Sequence, residues 1–175
     1  MALTKLNYTG QGTIPSASLP TIPISKIPTI TSAKMPSDSV LQVIYASYNT
    51  QKSSPSSTFA DTGLTATIIP TSASSKILVS VQQNGVYKSG GNTTGVGIKI
   101  LRDSTDLGLI ASRAGGDVAN VDNSIGTVGG DIYDSPNTTS ATVYKSQYAA
   151  TSNTGSAWVQ IYNVVSTITL MEIKG

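Results

Sequence analysis

The 175-residue chain has no cysteine, no histidine, one tryptophan, one phenylalanine and only 11% charged residues. Without cysteine there is no disulfide framework and no thiolate metal site. Without histidine the commonest general base is missing, so Ser-His and Cys-His nucleophile pairs cannot be built. Glycoside hydrolysis needs only two carboxylates. However, the nine acids (Asp38, Asp61, Asp103, Asp106, Asp117, Asp122, Asp131, Asp134 and Glu172) fall mostly in turn-like sequence, where Asp is favoured by its own side-chain to backbone hydrogen bonds. Asp117, Asp122, Asp131 and Asp134 share a Gly-rich stretch that could surround a Ca²⁺, but their spacing matches no calcium loop. The reading is no enzyme, no catalytic residue, no metal and no cofactor. Eleven basic against nine acidic residues give +2 with no basic run, which argues against phosphate-backbone binding and so against a nucleic-acid partner. Nowhere do about eighteen apolar residues run together, and MALTKLNYTGQG lacks the apolar centre of a secretory signal. Neither membrane insertion nor signal-directed export is expected.

What is present is a repeat. Residues 14–37 spell an eight-residue unit three times, IPSASLPT, IPISKIPT and ITSAKMPS. Each begins with isoleucine (Ile14, Ile22, Ile30), carries an apolar residue five positions on (Leu19, Ile27, Met35), and closes with proline and a small hydroxyl residue. Pro15 and Pro23 add a second proline to two units, where Thr31 stands in the third. Recurrent proline removes backbone donors and fixes extended geometry, so the segment is predicted to be a rod of roughly 75 Å and not a helix. Nothing within the segment covers its six apolar positions. Regular repetition in an elongated element suggests that each unit packs on a neighbour, here another copy of the chain. An arm along a partner and a semi-rigid linker fit the same composition.

After Ser37 the period changes from eight to two. Alternation at 40–47, 64–69, 77–81, 96–101, 107–111, 143–148, 158–165 and 168–173, between clusters such as Asn84-Gly85, Gly115-Gly116 and Gly129-Gly130, predicts an antiparallel β-sandwich or jelly roll. The division is an N-terminal anchor at 1–12, the stalk at 13–37 and a β head at 38–175. Residues 157–165 and 168–173 are apolar on both faces, with Ile168 and Leu170 set against Met171 and Ile173. Such strands need cover on both sides, which again points to oligomerisation.

ITSAKMPSDSVLQVIYASYN at 30–49, SKILVSVQQNGVYKSGGNTTGVGIKILRD at 75–103, YDSPNTTSATVYKSQYAA at 133–150 and STITLMEIKG at 166–175 together resemble the C-terminal module of phage tail-fibre-type virion proteins from phages of aquatic bacteria. The resemblance covers about 33–175. It implies a homotrimeric β head on a slender stem, part of a virion and often facing the host. A virion also reconciles a secreted-type composition with the lack of an export signal, because particle proteins reach the outside by assembly and lysis. Location on the tail as a fibre, or on the capsid as a decoration or head fibre, stays open, as does a polysaccharide-binding or polysaccharide-degrading spike. The expected partners are two further copies, other virion proteins, and host surface polysaccharide. Leu3, Leu6 and Tyr8 alternate in a segment that could add a strand to another virion protein's sheet edge. Aromatic faces suit sugar rings, so Tyr87, Tyr133, Tyr144, Tyr148 and Trp158, with Arg113 for an acidic sugar, are the candidate glycan contacts; the alternative for each aromatic is core or protomer interface. Loops 89–95, 113–123 and 135–139 are the candidate recognition loops.

Overall fold

Period-two sequence punctuated by Gly, Asn and Ser should give short strands, and the computed structural model, which describes residues 31–175, contains ten of them. They are β1 (Val40–Tyr48), β2 (Lys52–Ser54), β3 (Ala60–Ile68), β4 (Lys76–Ser89), β5 (Val96–Arg102), β6 (Thr105–Ala114), β7 (Asn123–Asp134), β8 (Thr142–Ala150), β9 (Ser156–Val159) and β10 (Ser166–Ile173). One sheet has the order β1-β10-β4-β9-β2, with β7 on the other edge of β4; the second has the order β3-β8-β5-β6. Leaving out the short β2 and β9, the eight remaining strands pair first with last (β1–β10), second with seventh (β3–β8), third with sixth (β4–β7) and fourth with fifth (β5–β6), all antiparallel. That nested pairing is the jelly roll, a long hairpin wrapped into two sheets.

The pairing also fixes the ends. Val40 lies opposite Ile173, and Ile173 lies opposite Lys76. The start of β1, the end of β10 and the connections at 69–75, 103–104 and 135–141 therefore share one end, the base, where the chain enters. Connections 49–59, 90–95, 115–122 and 151–155 share the other end, the tip.

Two apolar clusters fill the sandwich. Leu64, Ile68, Ile77, Val79, Ile100, Tyr144, Ile168 and Leu170 belong to the one nearer the base. Val86, Val96, Ile98, Tyr148, Ala157 and Val159 belong to the one nearer the tip. Between them runs a buried polar chain. Thr62 and Ser146 hydroxyls meet at 2.7 Å, Ser146 donates to Gln83 Oε1 at 3.0 Å, and Gln83 Nε2 donates to Ser166 Oγ at 2.9 Å. These four residues come from two strands of each sheet, so the chain ties the layers together without leaving a member unpaired.

Four expectations are corrected. Ser32–Lys34 form a 3-10 turn where the sequence predicts an extended rod, closed by Met35 N donating to Ser32 O at 3.2 Å. Lys174 Nζ ties this turn to the end of β10 by donating to the carbonyls of Ala33 and Met35. Gly129-Gly130 is the middle of β7 and not a turn; a Cβ at 129 would come 2.5 Å from Gln82 Oε1, and one at 130 would come 2.7 Å from Ile110 Cγ2. Asn84-Gly85 lies inside β4 as a bulge. The predicted strand 158–165 breaks after Val159, because Gln160, Tyr162 and Asn163 are left-handed and make a second 3-10 turn. The stalk positions Ile14, Leu19, Ile22, Ile27 and Ile30, and the anchor residues Leu3, Leu6 and Tyr8, lie outside the described residues. Among the described residues no helix is long and apolar enough to cross a membrane.

Candidate functional site

The bulge in β4 decides what the tip presents. Inward positions run Ile77, Val79, Val81 and Gln83, then skip to Val86 and Lys88. One extra residue at Asn84-Gly85 reverses the parity, as a bulge does. Tyr87 thereby faces outward and Lys88 faces the interior; without the extra residue their places would exchange. Tyr87 lies opposite Trp158 on one side and Ser124 on the other, and Trp158 lies opposite Ser53. The outer face at the tip thus carries a row Ser53–Trp158–Tyr87–Ser124.

Tyr162 joins this row. Its ring is 85% exposed, on a residue with φ 58° and ψ 25° between left-handed Gln160 and Asn163. The segment is pinned at three points. Gln160 N donates to Asn84 O at 3.0 Å, Tyr162 N donates to Gln51 Oε1 at 3.0 Å, and Ile161 lies over Gly85, where a Cβ would come 2.6 Å from Ile161 N. The Asp122 carboxylate beside Tyr87 raises the Tyr87 phenol above its ordinary range, and nearby Tyr162 adds to this. Between β4, the start of β7 and the 161–164 segment lies a groove of about 420 Å³. Buried polar atoms without partners among the described residues include Trp158 Nε1 and both side-chain polar atoms of Gln160, the residue before Ile161.

Two of the three sequence-predicted loops meet at the tip and are stitched together. Asp122 accepts from Gly90 N at 2.8 Å, Asn120 Oδ1 accepts from Gly91 N, and Asp117 O accepts from Thr93 N at 2.9 Å. Thr94 shares hydrogen bonds with Ser152 and Thr154. Beneath them the fully buried Lys88 ammonium donates to Asp117 at 3.0 Å and to Ala119 O at 3.2 Å, and holds the Asp117 carboxyl below its ordinary range. The third loop, 135–139, lies at the base.

The candidate glycan contacts scatter. Tyr87 and Trp158 are adjacent on the tip's outer face. Arg113 is exposed at the tip and donates to Asp117 O at 3.0 Å. Tyr133 is 58% exposed but near the base, in a row Val43–Met171–Leu78–Tyr133 that crosses four strands. Tyr144 belongs to the core: it is 0% exposed, and its hydroxyl donates to Asp134 at 2.7 Å. Its even-numbered position on β8 points it inward with Ser146 and Tyr148, itself a core residue, so a sugar can reach neither tyrosine. Asp117, Asp122, Asp131 and Asp134 do not gather, since the first two hold the tip loops while Asp134 pairs with Arg102 at 2.7 Å. Met35, half-buried below the 3-10 turn, is the one stalk position among the described residues.

Sequence reasoning missed Tyr162, Asn84 and Thr127. Tyr162 was assigned to a strand face, and no glycine or proline marks the turn around it.

No protein-family model matches the chain, and no curated protein matches it. Among solved structures it is similar to the VP2 subviral particle of infectious bursal disease virus, at 17% identity over 85% of this chain and 38% of that one, with a TM-score of 0.47. It is similar also to the Gx strain of that virus (17%, 85% and 37%, TM-score 0.45) and to its derived T=1 particles (14%, 89% and 41%, TM-score 0.41). The chain spans about two fifths of the length of these proteins. Its jelly-roll order stands on its own strand pairing.

Proposed function

We propose that the chain is a non-enzymatic structural protein of a phage particle, a trimeric fibre held by its N-terminal residues and presenting its loop end to the host surface. The observation that carries this reading is the polarity of the sandwich. The chain enters at the base, beside the end of β10, while the stitched loops and the Trp158–Tyr87 row lie at the opposite end of β4. Fourteen residues of strand separate the two ends by about 45 Å. An anchor at one end and a variable loop surface at the other is the arrangement that a host-facing fibre needs.

Self-association is supported by the Val43–Met171–Leu78–Tyr133 row together with Val40 and Tyr45. Val40, Val43, Tyr45 and Tyr133 are all about half exposed or more, on a sheet whose other face is already core. A contiguous apolar band of this kind is what protomer contacts cover. Light scattering on the full chain tests the reading. The expected mass is three times the 18.0 kDa chain, with adsorption of the purified protein to cells of the phage's host. A monomer that binds particle shells but not cells would replace the fibre with a capsid decoration.

A further inference from the structure

We propose that the groove between the Gly85 bulge and the Tyr162 turn binds a neutral oligosaccharide, with Tyr162 as the stacking platform. This deepens the host-attachment reading by naming the site and the ligand class. One wall is apolar, from Ile161, Tyr162 and Val164; the other carries the amide and hydroxyl groups of Asn84, Ser124 and Thr127. None of the residues lining it is charged, so it offers nothing to a uronic or sialic carboxylate and everything to a sugar with one C–H face and one hydroxyl edge. Its volume falls in the range of small-ligand sites.

The polar wall is held in place before any ligand arrives. Thr127 Oγ1 donates to Asn84 Oδ1 at 2.7 Å, and Asn84 Nδ2 donates to Val165 O at 2.6 Å. Asn84 keeps one free amide hydrogen and Thr127 keeps hydroxyl lone pairs for a ligand. Gly126, left-handed at φ 84°, has nothing within 4 Å of where a Cβ would stand, so the backbone there is open to close approach.

The apolar wall is held in a strained form. Tyrosine and glutamine gain nothing from left-handed backbone, yet Gln160 and Tyr162 both adopt it, and Gln160 buries an unpartnered amide beside them. Backbone strain concentrated at one exposed aromatic, two residues from an unsatisfied buried amide, is a pattern of binding sites and not of core packing. The effect of the turn is to stand an 85% exposed ring at the mouth of the groove, where a sugar face can lie on it.

The test is binding of the full-length protein to an array of immobilised glucose, galactose and mannose hexasaccharides, with polygalacturonate and sialylated glycans alongside, and with the mass measured on the same sample. The wild type is expected to bind neutral glycans. Tyr162→Ala should weaken binding about ten-fold or more, Tyr162→Phe should stay within about three-fold because stacking survives, and Ile69→Ala, at an exposed position of the base, should leave binding unchanged. Binding to acidic glycans only, no binding to any neutral hexasaccharide, or Tyr162→Ala binding like the wild type would each overturn the site. A trimer that binds no neutral glycan removes the site and leaves the fibre standing. A monomer that binds through Tyr162 removes the fibre and leaves the site.

Discussion

Below the Thr62–Ser146–Gln83–Ser166 chain the core holds ten buried residues, on strands whose alternation is interrupted little; above it the core holds seven, on strands broken by the Gly85 bulge and the 160–163 turn. The halves also differ in which residues they place in left-handed backbone. At the base these are Asp38, Asp103 and Asn137, types whose short polar side chains tolerate it. At the tip they are Thr93, Gln160, Tyr162 and Asn163, of which only the asparagine is suited. The base therefore fits its sequence locally, whereas each unsuited tip residue is held against a cost of about 1–3 kcal/mol by its surroundings. Stability is concentrated where the chain enters, and shape is imposed where the loops gather.

The largest effect should come from cutting the base's partly buried ion pair. Asp134, with a side chain 10% exposed, is bound by Arg102 Nη1 through both carboxylate oxygens, at 2.8 and 2.7 Å. Arg102→Ala leaves that carboxylate with only the Tyr144 hydroxyl and should cost about 3 kcal/mol, because water reaches the pair in part, read as a fall of roughly 10 °C in melting temperature. Because one nitrogen makes all the contacts, including that to Ser135 O, Arg102→Lys should recover about half of the loss. If Arg102→Ala melts like the wild type, the base is not the stabilising half.

Gly85→Ala sharpens the contrast from the other side. A Cβ at φ 60° would meet Val164 Cγ2 at 2.5 Å and Ile161 N at 2.6 Å. We expect a loss of about 2 kcal/mol or more from backbone strain and displacement, with faster amide exchange at Gln160, Tyr162 and Asn163 and unchanged exchange in the β1–β10–β4 region near the base. Exchange rising equally at both ends would mean that the halves unfold as one.

How much of this was legible follows the same division. β3 and β8 could be read from alternation because their inward and outward residues differ in polarity, and β1, β5 and β10 from short apolar runs bounded by turn residues; together these made the sandwich legible. β7 could not, since its glycines exist to admit Gln82 and Ile110 and leave no alternation behind. Neither could the site. Tyr87 and Trp158 were reachable as aromatics, but the outward direction of Tyr87 depends on a bulge written as Asn84-Gly85, which on sequence alone is a turn. Tyr162 depends on left-handed backbone that its own residue type disfavours.

Acid should act through carboxylates at both ends. Burial pushes the Glu172 carboxyl up, but hydrogen bonds outweigh it: Gln42 Nε2 donates at 2.6 Å, and Thr71 donates from N at 2.7 Å and from Oγ1 at 2.8 Å. Ser75 Oγ faces the same carboxylate without a bond of good geometry. Glu172 therefore titrates below its ordinary 4.5, and Asp117 and Asp122 titrate below 3.8. A depressed carboxyl stabilises the fold above its unfolded value, and that share is lost as pH falls through the folded one. With no histidine to titrate, the urea midpoint should stay flat from pH 7 to about 5 and fall below about 4.5. Glu172→Gln should lower the unfolding free energy at pH 7 by about 1–2 kcal/mol, because an amide presents a donor to donors, and should shrink the acid-side fall. A midpoint that already drops between pH 7 and pH 5 would contradict this assignment.

The smallest effect carries the most information about the tip. Tyr162 is 85% exposed, so its ring contributes little packing, and Tyr162→Ala should change stability by less than about 0.5 kcal/mol. Tyr162→Gly is different, because glycine removes the left-handed penalty of about 1–2 kcal/mol while adding about 0.5–1 kcal/mol of backbone entropy cost. The two nearly offset, with a net gain of about 0.5 kcal/mol expected in the glycine variant over the wild type. A gain in stability accompanied by loss of neutral-glycan binding would mean that the turn is kept strained for what Tyr162 does. If instead Tyr162→Gly destabilises by more than about 1 kcal/mol, the ring is part of the packing, and the tip differs from the base in geometry alone.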